Sequence, residues 1–302
     1  MRDARIRTPA AGGSRSACAL ALVVGSALLH ATWNLAAKRA GGATRGPAFV
    51  FAFSSATAVL YAPLALGFGG ARVGEVDPLG WGFVLGSAAL HVGYFVALQR
   101  GYRVGDLSIV YPIARGVGPA LATVGAVALL GERPSALALV GTLLVVGAAV
   151  ALATGRPPAG ARIGPGVRWG LVTAVFIASY TLWDAVAVAR VGVPPLLFLW
   201  WSELARAALL APTVLQRPDD LRHVLRHHRG AVATVALLSP LAYLLVLTAF
   251  TLAPVSLVAP AREVSVLIGA LLGTTLLGEG ARRRRLTAAA AMVVGVALLA
   301  RG

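Results

Sequence analysis

The chain has 302 residues, of which 58% are hydrophobic and only 13% charged, with a mean hydropathy of +0.80. That balance excludes an ordinary soluble protein and makes a lipid bilayer its solvent. A formal charge of +16 would suggest nucleic acid in a soluble protein, but here the arginines sit mainly in short gaps between apolar runs, where they anchor helix ends at headgroups.

The start places Arg2, Arg5, Arg7 and Arg15 ahead of an apolar stretch and so imitates a secretory signal. An internal repeat, described below, makes that stretch part of the fold instead. Uncharged runs at 16–37, 46–71, 78–99, 134–155 and 230–261 each reach the roughly 20 residues a spanning helix needs. Pattern and breakers place spanning helices at about 18–38, 47–68, 81–102, 107–130, 135–154, 168–190, 195–214, 230–252, 255–277 and 285–301. This predicts an all-α membrane protein of ten transmembrane helices. A basic tail covers 1–17, a first five-helix half 18–154, a Pro/Gly-rich joint 155–167 and a second half 168–302. The connections at 105–106, 131–134 and 253–254 are short, as between antiparallel neighbours. His223, His227 and His228, interleaved with Arg222, Arg226 and Arg229, read as a basic interfacial loop. The lone Cys18 excludes an intramolecular disulfide and a thiolate metal cluster.

The repeat is most visible in two stretches. Leu107–Glu132 is echoed by Val255–Glu279: each holds a Pro, then Ala-Arg, then small residues, and closes on Leu-Leu-Gly-Glu. Arg115 precedes Glu132 by 17 positions and Arg262 precedes Glu279 by 17, while Pro112 lies three before its Arg and Pro260 only two. His30-Ala-Thr-Trp33-Asn34 corresponds to Tyr180-Thr-Leu-Trp183-Asp184, 150 positions later. Five crossings per half make the second half enter from the opposite side, so the predicted repeat is an inverted 5+5 arrangement suited to alternating access. Gly116, Gly118 and Pro119 predict a kink or unwound turn near Arg115. Loops on one side carry 16 cations against 8 on the side of the termini, which by the positive-inside rule puts the termini outside the cytoplasm.

Charge inside apolar helices marks the candidate site, because an ionised group at bilayer depth costs about 2.5–3.5 kcal/mol on insertion scales. Arg115, Arg206 and Arg262 balance Asp184, Glu203 and Glu263. Glu203 and Arg206, three apart, read as a structural or coupling pair. Arg262 and Glu263 are adjacent and diverge by about 100° on a helix. Ser26, His30, Asn34 and Lys38 form a polar stripe, matched by Tyr180 and Asp184. The expected substrate cavity is His30, Trp33, Asn34, Tyr111, Arg115, Tyr180, Trp183, Asp184, Arg262 and Glu263. The two Trp serve equally well as interface-belt residues. Arg115 and Arg262 suit an anionic substrate group. Asp184 or Glu263, desolvated, suits a transported proton. Spacing does not choose between these uses.

No zinc-protease motif, nucleophile elbow or phosphate loop occurs, so the sequence gives no enzyme, no cofactor and no metal site, and ATP is not the direct energy source. His30-Ala-Thr-Trp-Asn34 with Lys38, Ala97-Leu-Gln-Arg-Gly-Tyr102, Tyr111-Pro-Ile-Ala-Arg115, and the Leu-Gly-Glu closures at 130–132 and 277–279 resemble the EamA-type ten-helix members of the drug/metabolite transporter superfamily. The resemblance implies a rocking basket of ten helices, with cytoplasmic termini, that moves amino acids, other metabolites or drugs, usually outward and without ATP. The function expected is therefore a secondary transporter of small metabolites in a bacterial-type inner membrane, with lipid and a small molecule as partners and protons as one candidate coupling ion. A monomer suffices. The alternatives are a flippase for lipid-linked sugars, and a non-transporting scaffold or sensor.

Overall fold

The computed structural model describes residues 13–39, 46–69, 76–105, 107–153, 163–268 and 282–301. The first part of the basic tail, most of the 155–167 joint, the later part of the predicted ninth helix with Glu279, and the side chain of Lys38 lie outside this description.

Every regular element among the described residues is helical. In chain order they are α1 (Gly13–Arg39), α2 (Pro47–Gly69), α3 (Pro78–Val104), α4 (Leu107–Leu130), α5 (Ala136–Ala153), α6 (Ile163–Val186, continued by a π turn, Ala187–Val191), α7 (Pro195–Leu215), α8 (Pro218–His227), α9 (Arg229–Leu252), α10 (Val255–Ala261) and α11 (Arg282–Arg301). Local chemistry sets their ends. Asp77 caps α3, its carboxylate accepting from the Gly80 amide at 2.7 Å, with Pro78 at the first helical position. Gly131 and Gly192 stop α4 and the π turn in left-handed conformation, φ 71° and 83°.

Six of these helices are long and apolar enough to cross a membrane: α1, α2, α3, α4, α6 with its π turn, and α9. α5 and α11 are apolar but shorter over their described lengths. α7 carries Glu203 and Arg206 in its middle.

Two sequence expectations change. The basic stretch around His223 is a helix, α8, not a loop; Asp219 and Asp220 in its first turn and Arg226 and His227 in its last complement the helix dipole. No unwound turn falls beside Arg115, since α4 is helical throughout, and a break falls in the other copy, where α10 ends at Ala261 and helix resumes at residue 264. Pro260 offers no N–H, and the following amides turn to closer carbonyls, Glu263 to Pro260 at 3.0 Å and Ser265 to Arg262 at 3.1 Å. The tighter turn falls just after Pro260, which stands one residue nearer its Arg than Pro112 does in α4.

Packing follows a two-fold plan. α1 lies on α9 as α6 lies on α3, while α2 packs on α7 and α5 on α11. The start of α1 shares one end of the molecule with the ends of α4, α6, α9 and α11, so α1 and its repeat counterpart α6 run in opposite senses. Small residues permit the close crossings. A Cβ on Gly118 or Gly125 of α4 would fall 2.7 or 2.4 Å from Ile177 or Leu182 of α6, and one on Gly141 of α5 would meet the Gly295 carbonyl of α11 at 2.6 Å. α2 is fastened by polar bonds as well: Thr57 and Tyr61 donate to the carbonyls of Ala236 and Leu237 in α9, and the Trp200 indole of α7 donates to Ala58.

Glu132 ties the halves at that same end. Its two carboxylate oxygens accept from the amides of Val255 and Ser256, at 2.8 and 2.9 Å, at the start of α10. Glu132→Ala should therefore lower unfolding stability by about 1–3 kcal/mol, the scale of losing hydrogen bonds to a charged group. Thermal unfolding in detergent reads the effect, and an unchanged midpoint would show that these caps are not strained against separation. Gly141→Ala should destabilise by about 1–3 kcal/mol through overpacking, whereas Gly147→Ala, whose added Cβ meets nothing within 4 Å, should be neutral or stabilising.

Candidate functional site

The polar residues singled out in the apolar helices converge on a cavity of about 180 Å³ at the centre of the bundle. α1 contributes His30 and Trp33, α4 Arg115, α6 Tyr180, α7 Glu203 and Arg206, and the end of α10 Arg262. His30 and Tyr180 are repeat counterparts, as are Arg115 and Arg262. Each pair occurs once per half, and the two-fold packing brings its members to a shared hollow.

Electrostatics organises the wall. Arg115 reaches across from α4 to Glu263, at 3.2 Å, and to the Ser265 hydroxyl at 3.2 Å. The Glu203–Arg206 pair closes within α7 at 3.0 Å, and Ser54 of α2 donates to the other Glu203 oxygen at 2.7 Å. Asp184 is wholly buried and accepts from the Tyr243 hydroxyl of α9. The Arg262 guanidinium lies over the Tyr243 ring, 5.5 Å from its centroid. Aromatic rings complete the lining: His91 stacks on Tyr180 at 4.2 Å and meets Tyr243 edge-on at 5.6 Å, and Tyr94 meets Tyr180 edge-on at 5.8 Å.

The predicted residues divide into three groups. His30, Trp33, Arg115, Tyr180 and Arg262 face the cavity, together with the Glu203–Arg206 pair. Glu263 and Asp184 stand immediately behind it, joined to the wall through Arg115 and Tyr243, and Tyr111 lies half-buried one turn before Arg115. The remaining two point elsewhere. Asn34 turns its amide back to the His30 carbonyl at 2.9 Å, as a polar residue near a helix end commonly does. Trp183 is 37% exposed on the outer face, packed on Phe83 and held by an indole bond to the Phe83 carbonyl at 2.8 Å. Adjacent positions on α6 diverge by about 100°. Asp184 points inward, so its neighbour cannot.

His91, Tyr94, Ser54, Ser265 and Tyr243 were not singled out from sequence. His91 and Tyr94 are three apart and so share a helix face, a signal present in α3 but uncharged and therefore quieter than an Arg. Tyr243 sits alone in the longest uncharged run, and only tertiary packing reveals that it bridges Asp184 and Arg262.

A family model described as the EamA-like transporter family matches residues 17–154 and again 164–301. A solved structure, titled only as a crystal structure of a protein, is similar over 94% of this chain and 99% of its own, with a TM-score of 0.71 at 21% identity; the likeness is one of fold. No curated protein matches the chain.

The Glu203–Arg206–Ser54 cluster generates a stability prediction. Arg206→Met leaves a buried carboxylate with only a hydroxyl partner and should cost about 3–5 kcal/mol, while the double change Glu203→Gln with Arg206→Met should recover most of it. Additive losses in the double variant would show that the two side chains do not act as a pair.

Proposed function

Because the chain belongs to the EamA-like transporter family, we propose that this multi-pass membrane protein carries small metabolites across the bilayer without ATP, outward from a bacterial-type cell, by alternating access of its two halves. In this reading the halves, residues 18–154 and 168–302, each cross the membrane five times in opposite senses. The observation that carries it is the central cavity, lined by residues from both halves in repeat-related pairs. Rocking one half against the other opens such a cavity to one side and then to the other.

The cavity's chemistry supports a small polar or amphipathic cargo. Its volume of about 180 Å³ lies below the roughly 300–1,000 Å³ of drug-sized pockets, so among amino acids, other metabolites and drugs the compact metabolites fit best. Charged groups at this depth need a wet or well-paired environment, and a scaffold or sensor has no use for their convergence.

Two measurements test the reading. A metabolite profile of cells with and without the protein identifies what accumulates, and counterflow of that compound in liposomes measures transport. Ser239 lines the cavity, and Ser239→Phe should fill it: the variant should insert and keep its helical content, yet lose flux at least tenfold. A filled cavity with full flux would end the case for this hollow as the route.

A further inference from the structure

One break in the repeat symmetry leaves a cation without an anion. After Arg115 the first half has Gly116; after Arg262 the second has Glu263. Gly116 packs so closely on α5 that a Cβ there would fall 2.1 Å from a Val150 methyl, leaving no room for a side chain. The one Glu therefore serves the Arg of the opposite half, Arg115, at 3.2 Å. Arg206 has Glu203. Among the described residues no carboxylate lies within ion-pair distance of Arg262, whose guanidinium borders the cavity and rests over the Tyr243 ring.

The matching anion is Asp184, and it is held apart. Tyr243 stands between them, its ring under Arg262 and its hydroxyl donating to one Asp184 oxygen; the other oxygen, Oδ1, has no hydrogen-bond partner. The groups around Asp184 are Ser87 and His91 from α3, Tyr180 from α6 itself, Arg206 with its Glu203 from α7, Tyr243 from α9 and Arg262 from the α10 end. Arg206 and Arg262 act on it through space and not by contact.

We propose that the cargo is a small organic anion whose carboxylate or phosphate docks on Arg262, and that a proton on Asp184 accompanies it, so that anion and proton cross together. This rests on the carrier reading above. With Arg115, Arg206 and Arg262 against Glu203, Glu263 and Asp184, the empty centre is formally neutral. A bound anion would leave a net negative charge in a low-dielectric interior, which is costly. A proton from water, bonding to the free Oδ1 while Tyr243 keeps its own, restores neutrality. Binding of anion and proton thus reinforce one another, as linkage requires. The planar guanidinium suits a two-oxygen acceptor, and the rings of His91, Tyr94, Tyr180 and Tyr243 suit a flat or apolar body. Efflux is then driven by the cargo's own accumulation and takes a proton with it, as befits an acid end product.

The test uses the purified full chain in weakly buffered detergent, with benzoate, phenyl phosphate and benzylamine as probes adjusted to the same pH. Benzoate or phenyl phosphate should raise the unfolding temperature and withdraw about one proton per bound probe, read by a pH dye; which of the two does so identifies the headgroup. Benzylamine should do neither. Arg262→Gln should lose both signals, and Arg262→Lys should keep them with affinity weakened about tenfold, which guards against a folding artefact. Asp184→Asn should bind the anion and take up no proton. Binding of benzylamine in place of the anions, failure of both anions to bind, or proton uptake surviving in Asp184→Asn overturns the proposal. Anion binding with proton uptake but no benzoate or phenyl phosphate flux in liposomes would instead sink the carrier reading alone.

Discussion

The ion pair between Arg115 and Glu263 is the constraint on which the centre of this molecule depends. A guanidinium carried into a bilayer on a helix needs a partner, and Arg115 finds its own on the opposite half, in the break that follows α10. That contact fixes how far α4 and the broken helix can separate, and Ser265 strengthens it from the next turn. Removing either partner would strand the other in a low-dielectric interior, a situation more costly than the pair is stabilising. The pair therefore acts more as a register device than as a source of stability.

Around it the fold resolves a conflict between close packing and polar content. Lipid offers no hydrophobic drive between helices, so association relies on van der Waals contact and interhelical hydrogen bonds. Glycines at 118, 125 and 141 give α4 and α5 their close approach to α6 and α11. Carbonyls of α2 and α9, otherwise occupied only along their own helices, receive second bonds from Trp200, Thr57 and Tyr61. With the helices locked this way, the bundle holds a hollow lined by charge.

Symmetry and its breaking divide the labour. Repeat-related His30 and Tyr180, or Arg115 and Arg262, occupy comparable positions but do different things, because their neighbours differ. Pro260 stands one residue closer to Arg262 than Pro112 does to Arg115, and a turn follows it where α4 stays helical. Arg262 and Glu263 stand side by side in that turn, one reaching Tyr243 and the other Arg115.

Sequence alone settled the class of molecule, most helix positions, the two-copy plan and the family likeness. These rest on apolar run length, breaker residues and spacing, all of which are local or periodic. It also picked out the interior charges, since an ion in an apolar run is conspicuous whatever surrounds it. It expected a kink or unwound turn beside Arg115, where α4 stays helical with Pro112 and Pro119 inside it, while the turn falls after Pro260 in the other copy; prolines stand in both copies, so residue type alone does not locate the break. It made α8 a loop, its apolar contacts being only Val224 and the partly buried Leu221 in a charged stretch. Only the tertiary structure decided that Trp183 faces outward while Asp184 faces in, that Tyr243 joins Asp184 to Arg262, and which carboxylate belongs to which arginine. Partner choice among six interior charges depends on distances between helices far apart in the chain, and no spacing along one helix encodes them.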